Sequence, residues 1–405
     1  MTLAPCNQDA GQNLQRWEPH ISAFVELCPC DAQGKGPLVG MRVGVKDIID
    51  VVGVPTRNGS DTCQDASPAE QDAPVVVKLR DAGAHIIGKT VTTEFAFTDP
   101  TACRNPYDLH RSPGGSSSGS GAAVAAGVVD IALGTQTAGS LCRPAAYCGV
   151  VGFKPTYGVI PTTGVTPLAP SFDTVGIIAK SVTLAQQAFA VIAPYSAPPI
   201  DETSQTATCG FWQTNATPDG DTFAGFRAAT QALAELGADI TTAPLDADVA
   251  AIVAAHRTIM NFEAFMAHGA LLSDATVKSL KPKFLAGIRV GAAISSDQVA
   301  QAKGVLAEAN QAFWASLEGV DAVLTLPAPD GAPLIDGTTG FQDWLTPWTV
   351  FGGPLVCMPW GLDQLGRPLS VMLAARPGQD AQVLATAAKL ERASPVLPPP
   401  QLPKA

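Results

Sequence analysis

The sequence is poor in basic residues and has no long apolar run. Among its 405 residues, 25 are lysine or arginine and 36 are aspartate or glutamate, which gives a formal net charge of −11. Sequence-independent binding to nucleic acid needs a basic stripe on the surface, so no nucleic-acid partner is expected. We also expect no docking on anionic membranes. No uncharged apolar run reaches the length of about 18 residues that predicts a membrane-spanning helix.

The chain also has no pattern typical of secretion. Its first segment, MTLAPCNQDAGQNLQRWEPH, has no charged stretch followed by an apolar one, as a signal peptide would. The nine cysteines are an odd number scattered along a long chain, whereas disulfide frameworks are typical of small secreted domains. We therefore expect free thiols and a cytoplasmic protein. Cys28 and Cys30 are spaced too closely for a CxxC metal site, and no metal is expected there.

Histidine is scarce, which limits the mechanisms that use an imidazole base. The segment GSSSG at 115–119 matches G-x-S-x-G with Ser117 at its centre. A nucleophile elbow requires a strand directly before the serine, and HRSPGG does not read as one. The same glycine-rich loop lacks the lysine of a phosphate-binding P-loop. None of the five histidines lies in a segment with a catalytic signature; they are His20, His85, His110, His256 and His268.

What the chain does have is ample material for a core, with 46% hydrophobic residues. Residues 37–56 cluster β-branched residues between glycines and prolines, as in strands and turns. Residues 72–90 predict a helix that ends at Gly83, followed by the short buried strand AHIIGKT. This alternation predicts an α/β protein.

The remaining segments continue the same alternation. Residues 112–137 read as a Gly/Ser loop, a buried alanine-rich helix and the strand DIALGTQT. Residues 195–222 are turn-rich and expected to be exposed, and helical spacing dominates from 223 to 318. Three further strands (DAVLTLPAP, PLVCMPWG and GRPLSVMLAA) and a last helix (DAQVLATAAKLERA) complete the chain.

One serine stands out by its surroundings. Ser140 lies in GTQTAGSLCRPA, in a tight turn after a predicted strand. The small residues Ala138 and Gly139 allow backbone N–H groups to face a nearby oxyanion, as in hydrolases. The segment therefore predicts either a nucleophile or a purely structural turn. It contains no histidine or carboxylate that would take the serine's proton.

A lysine is the alternative base. Lys46 stands in VGVKDIIDVVG among valines and isoleucines. Burial disfavours the charged ammonium and lowers the pKa of lysine, so that the neutral amine can accept a proton near pH 7. The other interpretation is that Lys46 ends a strand and pairs with Asp47 or Asp50.

Three stretches together resemble the amidase signature family. They are GVKDIID with Lys46, SPGGSSSGSGAAVAAG with Ser116, and ALGTQTAGSLCRPAAYCGVVGFKPTYG with Ser140. The spacing between the two serines also resembles that family, as do GKTVTTEFAF, NPYDLHRSPGG, SFDTVGIIAKSV and GGPLVCMPWG…GRPLSVMLAA. The resemblance covers most of the chain and is weakest from about residue 200 to 320.

The resemblance implies a fold and a division of the chain. The fold is α/β: a single large domain over residues 1–405, with a mixed twisted β-sheet core covered by helices on both faces. Residues 40–185 would form the catalytic core. Residues 195–320 would form a variable, mostly helical region at the substrate entrance.

The resemblance also implies a Ser–Ser–Lys triad without a cofactor. Ser140 would be the nucleophile, Ser116, on a cis peptide bond after Gly115, would relay the proton, and Lys46 would be the base. Backbone N–H groups would form the oxyanion hole, and one further serine would hydrogen-bond within the network. The residues of the hole are Thr137, Ala138, Gly139 and Ser140, and the supporting serine is Ser117. The implied reaction is amide hydrolysis through an acyl-enzyme.

The sequence departs from the commonest family pattern, G-T-D-T-G-G-S-I-R. Gln136 replaces the aspartate, Ala138 replaces the first of the paired glycines, and Arg143 lies one place later than usual. If the turn needs a positive φ at Ala138, that residue carries strain. This variant is similar to malonamidase-like small amidases, whose arginine binds the substrate carboxylate. Arg143 is therefore expected either to bind the anionic end of a small amide or to brace the loop.

The leading functional hypothesis is an amidase that hydrolyses a small, carboxylate-bearing, malonamate-like amide to an acid and ammonia. Two alternatives lie within the family: the glutaminase subunit of a tRNA-dependent amidotransferase, and an allophanate or carboxybiuret hydrolase. A third alternative is a non-catalytic binding module on the same fold. The expected partner is a small-molecule amide, and relatives suggest a homodimer by analogy.

Overall fold

A mixed β-sheet runs through the computed structural model, which describes residues 8–28, 35–193 and 206–402. Within these residues the sheet has 11 strands, in the order β1-β3-β2-β4-β6-β5-β10-β11-β9-β7-β8. The strands are β1 Phe24–Leu27, β2 Arg42–Lys46, β3 His85–Thr90, β4 Ile131–Gln136, β5 Val151–Lys154, β6 Thr174–Ala179, β7 Thr206–Cys209, β8 Asp239–Thr242, β9 Ala322–Thr325, β10 Leu355–Leu362 and β11 Pro368–Ala374.

Helices pack on this sheet and on one another. They are α1 Gln8–Ile21, α2 Pro74–Asp81, α3 Ser118–Ala125, α4 Cys142–Cys148, α5 Val182–Ile192, α6 Gly220–Glu235, α7 Val249–His268, α8 Pro282–Ala292, α9 Ser296–Ser316, α10 Thr346–Val350 and α11 Asp380–Glu391. Short 3₁₀ segments lie at Asp61–Cys63, Glu94–Ala96, Gly269–Leu272 and Val277–Ser279. In the described parts of the chain, no helix is both long enough and apolar enough to cross a bilayer.

The middle of the sheet is buried on both faces. Every residue of β4, β6 and β11 is buried, as expected for strands covered by helices on two sides. Strand β2 is parallel to both β3 and β4, and the β4–β6 and β6–β5 pairs are antiparallel. The fold is therefore a single α/β domain with a large mixed sheet, and the prediction of its class is confirmed.

Local signals placed several elements correctly. The helix predicted in 72–90 is α2, and Gly83, just after its end, has a φ of +91°. The strand that follows is β3, and the alanine-rich helix and the strand after it are α3 and β4.

The region around residue 210 differs from its prediction. The segment Thr206–Cys209 is the buried strand β7, which lies between β9 and β8 rather than in an exposed loop. Its alternation of threonine and small residues is typical of a strand. The turn residues on both sides of it led to the prediction of a loop instead. From 206 to 320 the chain otherwise consists mainly of α6 to α9. Residues 195–205 of the predicted entrance region lie outside the described residues, as does Cys30.

The topology brings the candidate site residues to one edge of the sheet. Because β2 and β4 are parallel neighbours, their carboxyl ends lie at the same edge, with Val45 opposite Leu133. Lys46 ends β2, and Thr135 and Gln136 end β4. The turn that carries Ser140 follows β4 directly and leads into α4.

Candidate active site

Lys46 is fully buried and faces two hydroxyl groups. Its Nζ lies 2.7 Å from Ser116 Oγ and 2.7 Å from Thr135 Oγ1. Burial lowers the pKa of Lys46 to about 7, and the nearby charge of Asp173 acts in the opposite direction. At neutral pH a large fraction of Lys46 is therefore the free amine, which can accept a proton.

The alternative pairing of Lys46 with an aspartate does not occur. Asp47 instead forms a buried ion pair with Lys89 of β3, with 2.9 Å between Nζ and Oδ1. Asp50 accepts a hydrogen bond from Thr56 Oγ1 at 2.7 Å. Successive residues of a strand point to opposite faces of the sheet, so Asp47 cannot follow the side chain of Lys46 into the same environment.

Ser116 lies in the loop before α3, and the Gly115–Ser116 peptide bond is cis. Its side chain is completely buried. The carbonyl of Ser116 accepts a hydrogen bond from Thr93 N at 3.2 Å. Its hydroxyl group lies 2.7 Å from the amine of Lys46.

Ser117 joins the two serine-bearing segments. Its N–H donates to the carbonyl of Ser140 at 3.1 Å. Its Oγ accepts from Thr135 N at 3.2 Å and donates to Thr135 O at 3.3 Å. A Cβ at Gly134 would lie 2.9 Å from that Oγ, so glycine is needed there for the close approach. Ser117 therefore fixes the start of α3 against the end of β4.

Ser140 lies in the turn between β4 and α4. The residue is 6% exposed, and no residue in the described ranges forms a hydrogen bond with its Oγ. The hydrogen bond from Ser117 N to its carbonyl holds Ser140 beside the Ser116–Ser117 segment. The structure thus places Ser140 beside the segment that carries Ser116, whose hydroxyl group contacts Lys46.

The turn from 137 to 140 presents its N–H groups unpaired. All four of its carbonyl groups accept hydrogen bonds: Thr137 O from His256 Nε2 at 2.8 Å, Ala138 O from Thr349 Oγ1 at 2.5 Å, Gly139 O from Arg143 N at 3.0 Å, and Ser140 O from Ser117 N at 3.1 Å. None of the four N–H groups donates to an acceptor within the described residues. Buried unpaired N–H groups are rare in proteins, so this turn is equipped to receive an anionic oxygen.

The turn accommodates its unusual residue without strain. Ala138 is not among the described non-glycine residues that have a positive φ. Gly139 is required for a different reason, since a Cβ there would lie 2.8 Å from Leu345 Cδ1. Close packing against α10, rather than a left-handed backbone, thus restricts this position.

Gln136 anchors the start of α4. Its Oε1 accepts from Leu141 N at 3.1 Å and from Cys142 N at 3.0 Å. Its Nε2 donates to Thr349 Oγ1 at 3.0 Å. The side chain therefore satisfies two N–H groups that the helix leaves without partners.

Asp173 holds the other side of the turn. Its Oδ1 accepts from Thr137 Oγ1 at 2.6 Å, and its Oδ2 accepts from Leu168 N at 2.8 Å and Ala169 N at 3.0 Å. Burial raises the pKa of Asp173, and the hydrogen bond from Thr137 acts against that rise. Asp173 is thus both a support of the turn and the carboxylate whose charge acts on Lys46.

Arg143 is turned toward the chain's own carbonyl groups. Its Nε and Nη2 donate to Gly115 O at 3.1 and 2.6 Å, and its Nη1 donates to Gly340 O at 2.8 Å and Gln342 Oε1 at 3.3 Å. Burial lowers its pKa to about 10, so it remains charged at neutral pH. These are the contacts expected of a brace; the role in binding a carboxylate stays a prediction.

Four residues around the site were not predicted from the sequence: Thr135, Asp173, His256 and Thr349. Thr135 and Asp173 lie in segments that resemble the family. Of the four, Thr135, directly before Gln136, had the clearest sequence signal. His256 and Thr349 reach the turn from α7 and α10, 119 and 211 residues away from their partners. No local pattern marks either residue as part of the site.

The fold and the family match define the class of the protein, which is that of hydrolases. Residues 29–384 match the family model for amidase, and the chain belongs to the amidase family. A Ser–Ser–Lys triad is typical of this family. The family and the structural neighbours make the protein an amidohydrolase.

Two relatives and two solved structures show how far the similarity extends along the chain. A glutamyl-tRNA(Gln) amidotransferase subunit from Synechococcus sp. (strain RCC307) is 31% identical over 96% of this chain and 94% of that protein. The subunit of the same name from Methanosarcina barkeri is 48% identical, but over only 41% of this chain and 36% of that protein. Among solved structures, an amidase matches with a TM-score of 0.87 and 26% identity over 96% of both chains. The peptide amidase of Stenotrophomonas maltophilia matches with a TM-score of 0.82 and 25% identity over 98% of this chain and 94% of that chain.

Proposed function

We propose that the protein hydrolyses the C–N bond of a small amide through an acyl-enzyme on Ser140. The observation that carries this proposal is the buried contact of 2.7 Å between Lys46 Nζ and Ser116 Oγ. It lies beside a turn whose N–H groups have no partner among the described residues. A neutral amine on Lys46 accepts the Ser116 proton while it still donates to Thr135. Ser116 in turn accepts the proton of Ser140.

The chemical steps then balance. Ser140 Oγ attacks the amide carbon, and its proton passes through Ser116 to Lys46. The N–H groups of the 137–140 turn stabilise the tetrahedral oxyanion. When the C–N bond breaks, the proton returns from Lys46 through Ser116 to the leaving nitrogen, which departs as ammonia or an amine. Water repeats the sequence on the acyl-enzyme and releases the acid.

A panel of amides tests this reaction. Ammonia release by the purified chain is measured with malonamate, propionamide, glutamine and allophanate, and Ser140→Ala serves as the control. We expect turnover of at least one amide and a loss of about 10⁴-fold or more in the variant. Release of ammonia from none of these amides, or equal rates in both proteins, would refute the proposal and favour a binding module.

A malonamate-like substrate is the finer part of the proposal. The hydrogen bonds of Arg143 to the described residues use four of its five N–H groups, which leaves one on Nη2 for a carboxylate. Arg143→Ala removes the brace for every substrate, but it removes a carboxylate partner only for malonamate. We therefore expect a larger loss of kcat/KM on malonamate than on propionamide, and equal losses would refute the carboxylate role.

A second candidate is a glutaminase that supplies ammonia to partner subunits. The relative from Synechococcus favours it, because that protein is named as part of an amidotransferase and matches 96% of this chain. A preference for glutamine over malonamate, and a rise in rate when partner subunits are added, would support it. Turnover of malonamate by the isolated chain with no activity on glutamine would exclude it.

A further inference from the structure

Thr349 connects the turn of the site to a residue that departs from the family pattern. Its Oγ1 lies 3.0 Å from Gln136 Nε2 and 2.5 Å from the carbonyl of Ala138. Both side chains are buried, with Gln136 completely inaccessible and Thr349 4% exposed. Thr349 comes from α10, so this connection ties a distant helix to the segment beside Ser140.

The direction of these hydrogen bonds is fixed by the donors around them. Gln136 Oε1 already accepts two backbone N–H groups, those of Leu141 and Cys142, so the NH₂ end of the amide faces Thr349. A hydroxyl group has one proton to donate. Because Thr349 accepts from Gln136, its proton is directed to Ala138 O, which is nearer than its other acceptor, Leu345 O at 3.4 Å.

A carboxylate at position 136 would reverse this direction. Aspartate and glutamate present only acceptor oxygens when ionised. The proton of Thr349 would then turn to the carboxylate, and the carbonyl of Ala138 would lose its donor. The amide of Gln136 therefore directs the Thr349 proton to the carbonyl of Ala138, which an acidic side chain at this position cannot do.

The carbonyl of Ala138 controls a neighbouring N–H group. In a trans peptide unit the carbonyl and the next N–H lie in one plane and point in opposite directions. Thr349 thus sets the direction of Gly139 N–H, which is unpaired among the described residues. Leu345, at the start of the same helix, packs against Gly139, so α10 holds this peptide unit at two points.

We propose that Gln136 and Thr349 form a positioning pair that orients the Ala138–Gly139 peptide, so that Gly139 N–H donates to the oxyanion formed at Ser140. This rests on the proposed function, since it assigns a role in the same acyl-transfer step. Neither residue contacts the substrate. Their effect is to keep one hydrogen-bond donor in position for the transition state.

The first test compares hydroxyl and methyl groups in α10. Thr349→Val removes the donor at nearly constant shape, and Thr349→Ser restores it. Thr346→Val is the matched control, because Thr346 is also buried in α10 but donates to Gln342 O instead of the turn. Removal of one oxyanion donor costs about 10²–10³-fold in kcat. In Thr349→Val the donor is misdirected rather than lost, so we expect kcat to fall about 10- to 100-fold, with little change in KM.

The second test is a double-mutant cycle. Gln136→Glu should lower kcat by about as much as Thr349→Val, and the double variant should be no worse than either single variant, because both changes break the same connection. The rate at which an alkyl fluorophosphonate labels Ser140 should follow kcat across the series, since its phosphoryl oxygen takes the position of the oxyanion. Thr349→Ser and Thr346→Val should stay within about threefold of the wild type.

The outcomes separate this inference from the proposed function. Three results would overturn the positioning pair and leave the proposed amidase activity untouched. They are a kcat and a labelling rate in Thr349→Val equal to those of the wild type, losses of kcat that multiply in the double variant, and a loss of kcat in Thr346→Val as large as that in Thr349→Val. If the wild type turns over no amide, the labelling rates still decide the inference. A folded wild type that the fluorophosphonate does not label would overturn both.

Discussion

Replacement of the buried lysine by methionine should stabilise the protein at neutral pH while it abolishes activity. In Lys46→Met the side chain keeps a similar length and loses its charge. Burial lowers the pKa of Lys46 from 10.5 to about 7, so the folded protein holds the charged form at a cost that the unfolded chain does not have. The site thus retains a residue that works against folding, as catalytic groups often do.

The magnitude follows from proton linkage. Between pH 7 and about 10.5, Lys46 binds a proton in the unfolded chain but not in the folded protein, so the stability of the wild type rises with pH. The slope is about 1.4 kcal/mol per pH unit. The methionine variant lacks this slope. The difference in the free energy of unfolding between the variant and the wild type should therefore fall by roughly 3 kcal/mol between pH 7.5 and 9.5. The cost of leaving Ser116 and Thr135 without the amine does not vary with pH and so does not affect this change.

Urea unfolding at several pH values measures this difference. Wild type and Lys46→Met are compared at pH 7.5, 8.5 and 9.5, so that all other titrating groups are shared. Ser140→Ala is the control, because it removes the nucleophile without changing a titrating group, and its difference from the wild type should not vary with pH. An advantage of Lys46→Met that stays constant over this range would refute the lowered pKa of Lys46.

Three further predictions concern the groups around the triad. Lys46→Ala should cost about 10²–10⁴-fold in kcat/KM at pH 7 and less at pH 9–10, where hydroxide partly replaces the base; a loss independent of pH would contradict the assignment. Asp173→Asn removes the charge that raises the pKa of Lys46, so the acidic limb of the pH profile should move to lower pH; an unmoved limb would contradict this effect of Asp173. His256→Phe keeps a ring against Phe172 but loses the donor to Thr137 O, and kcat should fall about tenfold; an unchanged kcat would show that this donor is dispensable.

The proposed triad was predicted mainly from the resemblance to the amidase signature family. Local patterns marked Lys46, a charged residue among β-branched neighbours, and Ser140, in a small-residue turn after a predicted strand, only as candidates. Ser116 was assigned from the resemblance alone. The partner of Lys46 was harder to foresee. Asp47 is adjacent in sequence, yet it pairs with Lys89, because the parallel pairing of β2 with β3 brings that lysine to the opposite face from Lys46.

The supports of the oxyanion turn were not predictable in this way. His256 is one of several histidines without a motif, and burial lowers its pKa to about 4, so it serves as a neutral donor rather than as a base. Thr349 lies in a five-residue helix whose sequence carries no catalytic pattern. Their roles depend on the packing of α7 and α10 against the end of β4, which only the three-dimensional structure shows.

These two contacts constrain how α7 and α10 can change. The resemblance to the family is weakest from about 200 to 320, and His256 lies within that range, yet it donates to the carbonyl beside the oxyanion turn. A substitution on the outer face of α7 leaves this hydrogen bond intact, whereas a shift of the helix moves the donor and with it the Thr137–Ala138 peptide. Thr349 imposes the same condition on α10 through Ala138 O. Changes in α7 or α10 must therefore preserve the positions of both helices relative to β4, because the N–H groups of the turn take their direction from them.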